Sequence, residues 1–237
     1  MTPDWQFAVV TLVNDFMFVL LTMHSAACST VEGFCHFEVM RRQIFLTGVV
    51  IIFLFRFTSS RGRTEAFVTF TLDALGLVYV VGPLSVMVAF VDDHRRSLYR
   101  KLLIALLYVV WASDTGAYLA GKSLAYLEYA YCHPLAPHLS KKKDYEGTLG
   151  AVVCGVVAMV AASSILDMPG SLGTQVVYTV AAVIFGRLGD LFESMLKRAA
   201  GVKDSGSLIP GHGGLLDRID ALMFASIVFS PYYRLRF

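Results

Sequence analysis

Apolar residues run along this chain in long blocks rather than in helical stripes or in strand alternation. The blocks fall near Phe7–Ala27, Ile44–Phe57, Ala66–Val91, Leu102–Ala120, Leu149–Ile165, Leu172–Met195 and Ile219–Tyr232. A helix crosses a bilayer with about 20 apolar residues and tolerates about 17. The pattern therefore predicts an all-α, polytopic integral membrane protein with about seven transmembrane helices, in a range of six to eight. The second and last blocks are short by that rule, which predicts little tilt or partly interfacial placement. The third holds Asp73 and the pair Gly82-Pro83, which predicts a kink or break within the membrane.

Composition strengthens this picture. Of 237 residues, 56% are hydrophobic and only 16% charged, with a mean hydropathy of +0.63. A water-soluble domain of this length needs far more charge to cover its surface. The net charge of +2 is too small for a nucleic-acid binder. Cys28, Cys35, Cys132 and Cys154 show no zinc spacing and read as membrane or loop thiols, with a Cys28–Cys35 disulfide allowed but unsupported. No basic stretch precedes the first apolar block and no small-residue cleavage site follows it, so that block reads as a retained span.

The charges that remain collect between the blocks. One polar loop, Gly121–Gly147, holds Lys122 and Lys141–Lys143; another, Lys197–Asp217, holds Lys197, Arg198 and Lys203, with Arg218 just beyond. In a seven-span count both lie on one side. The segment between them, Ser163–Gly173, has no Lys or Arg. The positive-inside bias puts both loops in the cytoplasm, although Arg41, Arg42, Arg95, Arg96, Arg100 and Lys101 run against that assignment.

Gly186–Asp220 is the richest stretch. It carries Arg187, Asp190, Glu193, Lys197, Arg198, Lys203, Asp204, Asp217, Arg218 and Asp220. An ionisable residue at the end of a membrane helix is costly unless paired, hydrated or bound to an ion. Asp190, Ser194, Lys197 and Arg198 stand at i, i+4, i+7 and i+8 and share one helical face, as do Asp217 and Asp220. Carboxylates from two helices suit Mg²⁺, which takes hard oxygen ligands and leaves positions for phosphate; a hydrated, salt-bridged loop entrance is the plainer alternative. Between them, Pro210-Gly211-His212-Gly213-Gly214 allows a tight turn whose N–H groups can meet phosphate oxygens, with His212 as an added donor. Asp114 interrupts the fourth apolar block, while Trp111 and Tyr118 beside it suit an aromatic belt. The run His138-Leu139-Ser140-Lys141-Lys142-Lys143-Asp144-Tyr145-Glu146-Gly147 fits either an anionic-lipid contact or, near a phosphate site, neutralisation of a triphosphate.

These residues resemble a known family. The stretch from Ser194 through Lys197-Arg198, Lys203-Asp204, Pro210-Gly211-His212-Gly213-Gly214 and Asp217-Arg218 to Asp220 is similar to the signature of phosphatidate cytidylyltransferases, also called CDP-diacylglycerol synthases. The segments Asp114–Gly121 and Ser140–Gly147 look like that family's other shared blocks, in the same order. The resemblance covers roughly the C-terminal half and divides the chain into N-terminal membrane spans, 1–101, and a C-terminal catalytic membrane region, 102–237. One block departs from it: where the family reads Ser-Pro-Lys-Lys-Thr, this chain has Ser140-Lys141-Lys142-Lys143-Asp144.

The resemblance implies a Mg²⁺-dependent transfer in phospholipid biosynthesis, with a second cation also allowed. Phosphatidic acid would attack the α-phosphorus of CTP, giving CDP-diacylglycerol and pyrophosphate at the cytoplasmic face. Asp190 and Asp217 are the expected principal metal ligands, with Asp220 and Asp114 as second choices. Ser194, Lys197 and Arg198 complete the expected catalytic set. Lys203, Asp204, Arg218, Lys142, Lys143, Asp114 and the turn Gly211, His212, Gly213 and Gly214 are expected around the phosphates. CTP, phosphatidic acid and bilayer lipid are the implied partners, and the resemblance allows a homodimer in a bacterial plasma membrane or a eukaryotic organelle or endoplasmic-reticulum membrane. Rival readings are a cytidylyltransferase for another lipid phosphate, such as an ether-linked one, a CTP-using polyprenol kinase, a cation-coupled transporter or a non-catalytic scaffold.

Overall fold

A computed structural model describes residues 4–30, 37–60, 62–92, 96–127, 133–137, 139–168, 170–206 and 214–234. Eight α-helices and one short hairpin make up these residues: α1 (Asp4–Thr30), α2 (Phe37–Ser59), α3 (Arg63–Gly76), a π-helical turn (Leu77–Val81), α4 (Gly82–Asp92), α5 (Arg96–Tyr126), β1 (Pro134–Ala136), β2 (Ser140–Asp144), α6 (Tyr145–Leu166), α7 (Leu172–Ala199) and α8 (Leu216–Arg234). Each apolar block of the sequence is a helical segment. Six of these segments are long and apolar enough to cross a membrane. The last, α8, is a helix of 19 residues that falls outside those six. The protein is thus an all-α polytopic membrane protein with one two-stranded antiparallel sheet.

The chain divides into two compact units, Met1–Tyr99 and Arg100–Phe237. In the first, Met17, Leu21, Ile52, Leu77 and Val81 form the buried core. The expected break in the third span takes another form: α3 runs into the π turn and on into α4 without interruption. Pro83 has no N–H and its ring crowds the carbonyl four residues earlier, and a wider turn just ahead of it relieves both problems. Asp73 is paired. Arg56, only 4% exposed, donates from Nε to Asp73 at 2.6 Å and from Nη1 to Gln6 Oε1 at 2.8 Å. A charge inside a membrane helix is tolerated when it is matched in this way.

In the second unit the helices approach closely at glycines. A Cβ on Gly116 of α5 would lie 2.5 Å from the Gly150 carbonyl oxygen and 2.6 Å from Cys154 Cβ of α6. A Cβ on Gly189 of α7 would collide with the Phe224 ring of α8. Small residues that let backbones approach are the usual basis of helix association in lipid. Gly116→Val is therefore expected to lower the thermal stability of the detergent-solubilised protein by about 1–3 kcal/mol, the cost of overpacking a tight contact. A melting temperature equal to wild type would refute that close packing.

The polar loop expected over Gly121–Gly147 is largely structured instead. Helix α5 continues to Tyr126, and β1 pairs with β2 through Pro134↔Asp144 and Ala136↔Ser140, with an irregularity between. Asp144 then caps α6, its Oδ1 accepting from Gly147 N at 2.8 Å. This accounts for Asp144 where the family has Thr, because both are effective N-cap residues; the Lys141 side chain, where the family has Pro, lies outside the described residues. Among the cysteines, Cys154 is a free thiol, while the Cys28 side chain and Cys35 lie outside the described residues.

Candidate active site

The charged end of α7 is built as its spacing predicts. Ser194 Oγ donates back to the Asp190 carbonyl at 2.8 Å, one turn earlier on the same face. The helix ends in a glycine-terminated turn: Val202 N bonds the Lys197 carbonyl at 2.9 Å and Gly201 N that of Arg198 at 3.1 Å. Gly201 takes φ +71° there, a conformation that favours glycine. The turn sends the chain back toward α8, which packs along α7 at Gly186, where an added Cβ would meet the Ala221 carbonyl oxygen at 3.2 Å, and at Gly189.

That packing assembles three carboxylates. Oxygens of Asp190, Glu193 and Asp220 lie within 4.8 Å of one another. Glu193 is 2% exposed and Asp220 5%. Three carboxyl groups this close cannot all be charged in a buried setting without positive charge among them. Lysines meet two of them. From β2, Lys143 Nζ reaches Asp190 Oδ1 at 2.6 Å and Ser194 Oγ at 3.3 Å. From α7, Lys197 Nζ reaches Glu193 Oε2 at 3.1 Å and Asp217 Oδ1 at 2.6 Å. Glu193 Oε1 is buried, and no donor among the described residues reaches it.

Asp217, the other expected principal metal ligand, is fully hydrogen-bonded within the protein. Its Oδ1 takes Lys197, and its Oδ2 accepts from Ser205 N at 2.9 Å, Ser205 Oγ at 2.8 Å and Gly214 N at 2.8 Å. Burial disfavours its charge, but the Lys197 ammonium, the Gly214 and Ser205 N–H groups and the Ser205 hydroxyl outweigh this. Together they hold its carboxyl well below the usual carboxylate range. Asp217 therefore ties the loop after α7 to the start of α8 and fixes Lys197 above the acids.

Other expected residues are placed less centrally. Arg198, Lys203, Asp204 and Arg218 are exposed around this end of α7 and α8. Gly214 is buried against Ser205, while Gly211, His212 and Gly213 lie outside the described residues, as does the Lys142 side chain. Asp114 of α5 lines a groove together with Val109, Val110, Ser113, Ala182, Val183, Gly186, Arg187, Asp190 and Ala221. Glu193, Ser205 and Arg187 are the site residues that the sequence reading passed over. For Glu193 a signal existed, since it stands three residues after Asp190 and four before Lys197; for Ser205 there was none.

The residues present fit a divalent cation: three carboxylates on two helices, one with an oxygen no donor satisfies, form a hard-oxygen donor set. The chain is 35% identical over 153 residues to a phosphatidate cytidylyltransferase of Staphylococcus epidermidis, a match covering 65% of this chain and 56% of the relative. It is 37% identical to that of Staphylococcus aureus strain COL and 35% to that of Staphylococcus saprophyticus, with the same coverage. The chain thus spans about half the length of the curated relatives it matches, 56% in each case. The model of the cytidylyltransferase family matches residues 5–236. A match that takes in both the α7 and α8 halves of the acid cluster, and nearly everything before them, means that this chain belongs to the cytidylyltransferase family.

Proposed function

We propose that the protein condenses CTP with phosphatidic acid to give CDP-diacylglycerol and pyrophosphate, at a site on the cytoplasmic side of the membrane. One observation carries the reading: the buried group Asp190, Glu193 and Asp220, bordered by Lys143 and Lys197. In the reaction a phosphate oxygen of phosphatidic acid forms a bond to the α-phosphorus of CTP. The bond from that phosphorus to the bridging oxygen breaks, and both electrons leave with pyrophosphate. No protein nucleophile is needed; positioning and charge neutralisation supply the acceleration.

Asp190, Glu193 and Asp220 would hold the divalent cation, with Mg²⁺ suited to their oxygens. When bound, it supplies positive charge to the reacting phosphates. Lys197, held by Glu193 and Asp217, is aimed where a departing pyrophosphate gains charge. Lys143, held by Asp190 and Ser194, would neutralise a phosphate oxygen beside the acids. Arg198, Lys203 and Arg218 form a basic rim for the triphosphate. The basic loops of the sequence support the cytoplasmic orientation, and the family resemblance extends the reading to a homodimer.

Incubating the purified protein in mixed micelles with phosphatidic acid, labelled CTP and Mg²⁺ tests this reading. The expected result is a CDP-diacylglycerol product matched mole for mole by pyrophosphate, and abolished by chelation. A chemically competent, folded preparation that forms neither would end it.

A further inference from the structure

Arg187 has no task in the account above. It stands near the middle of the 28-residue α7, three residues before Asp190 and so about one turn further into the apolar segment. A bilayer takes about 20 residues of a helix. Counted from Leu172, that length ends near Asp190, which leaves Arg187 just inside the apolar layer. An arginine at that depth is expensive and points to function. Arg187 lines the groove between α5, α7 and α8 beside Ser113, Asp114 and Asp190, with apolar walls at Val109, Val110, Ala182, Val183 and Ala221. Its Nε is shielded from solvent, and among the described residues no acceptor reaches it. Asp114 stands in the same groove and offsets part of the charge without bonding that Nε.

We propose that Arg187 binds the phosphate monoester of the lipid substrate, holding the headgroup in this groove one turn below the acid cluster. The inference rests on the proposed lipid-phosphate chemistry and adds to it the residue that reads the lipid. Three features favour the lipid over the nucleotide. The groove's walls are apolar around Arg187, at Val109, Val110, Ala182, Val183 and Ala221, whereas the exposed Arg198 and Lys203 lie at the other, polar end of the site. A guanidinium fork matches two terminal phosphate oxygens at once, which a monoester offers freely and a phosphodiester headgroup offers less well. Asp190, shared by the groove and the acid cluster, places such a phosphate beside the reacting centre.

The test uses direct binding to the 237-residue protein in detergent, so it does not depend on turnover. Short-chain phosphatidic acid, the matching phosphatidylglycerol, CTP and inorganic phosphate are titrated into wild type, Arg187→Lys and Arg187→Met. Arg187→Met is expected to weaken phosphatidic acid binding by at least about ten-fold, with Arg187→Lys intermediate because a point charge replaces the fork. CTP affinity should stay within about two-fold of wild type, which also certifies the fold. Unchanged phosphatidic acid affinity in Arg187→Met overturns the proposal. So does an equal loss for CTP, which assigns the arginine to the nucleotide, or inorganic phosphate competing as well as the lipid. If Arg187→Met does not fold, Arg187→Lys decides alone: unchanged lipid affinity and unchanged preference over phosphatidylglycerol overturn the assignment. A wild type that binds phosphatidic acid through Arg187 yet makes no product defeats the proposed reaction and leaves this site standing.

Discussion

Asp220→Asn lowers CDP-diacylglycerol formation by at least about 10³-fold, the scale lost when a charge-stabilising group is removed from a metal-assisted transfer. Asp190→Asn and Glu193→Gln are expected to act alike, because the three share one cation. The variants should fold as well as wild type or better. Oxygens of three carboxylates within 4.8 Å of one another repel when no cation lies between them, and an amide relieves that repulsion. This conflict between stability and activity is common at functional sites. Thermal unfolding in detergent separates the outcomes. Wild type is expected to gain stability on adding Mg²⁺, while Asp220→Asn starts at the same temperature or higher and gains little. Near-normal turnover, or an undiminished Mg²⁺ shift in all three variants, would remove these acids from the metal site.

Asp217→Asn is expected to lose about 10²–10³-fold in turnover for another reason. Its carboxylate holds Lys197, Ser205 and Gly214 together, so the neutral amide frees both the lysine and the loop after α7. The Mg²⁺ shift in melting temperature should survive this substitution, which distinguishes it from the acid-cluster variants. It also has a pH signature. Because the folded state holds this carboxyl below its ordinary range, its contribution to stability is complete above the unfolded value of about 3.9. It is lost as pH falls below that value toward the folded one. Wild type should therefore lose its stability advantage over Asp217→Asn progressively on acidification below about pH 4. A difference that stays constant from pH 7 to pH 3 would show that the Asp217 bonds do not form in solution.

Much of the architecture was legible because lipid imposes a simple rule on sequence. Backbone groups in hydrocarbon must be satisfied within the segment, so a long apolar block is a helix whatever its neighbours are. The blocks at Leu149–Ile165 and Leu172–Met195 match α6 and α7 within a few residues. The stripe Asp190, Ser194 and Lys197 was equally readable, since helical spacing alone puts these residues on one face. The strands within 121–147 were read as loop because β1 has only three residues, Pro134–Ala136, and β2 is the polar run Ser140–Asp144, so neither carries a hydrophobic alternation to announce it. The Gly82-Pro83 pair marked a perturbed helix correctly, but whether it breaks the helix or widens it depends on the packing of Leu77 and Val81 in the core.

The sequence by itself determined the membrane class, the helical blocks, the family and the set of charged residues from which a site could be drawn. Helix period and hydropathy are local properties, and local properties survive in one dimension. Only the tertiary structure decided which charges meet. It placed Glu193 with Asp190 and Asp220 because α7 and α8 approach closely at Gly186 and Gly189. It gave Asp217 to Lys197 and the Ser205–Gly214 backbone, and it brought Lys143 from β2 onto Asp190 across 47 positions of chain. Those pairings depend on contacts distant in sequence, where a carboxylate's role is set by the donors that reach it and not by its spacing along the chain.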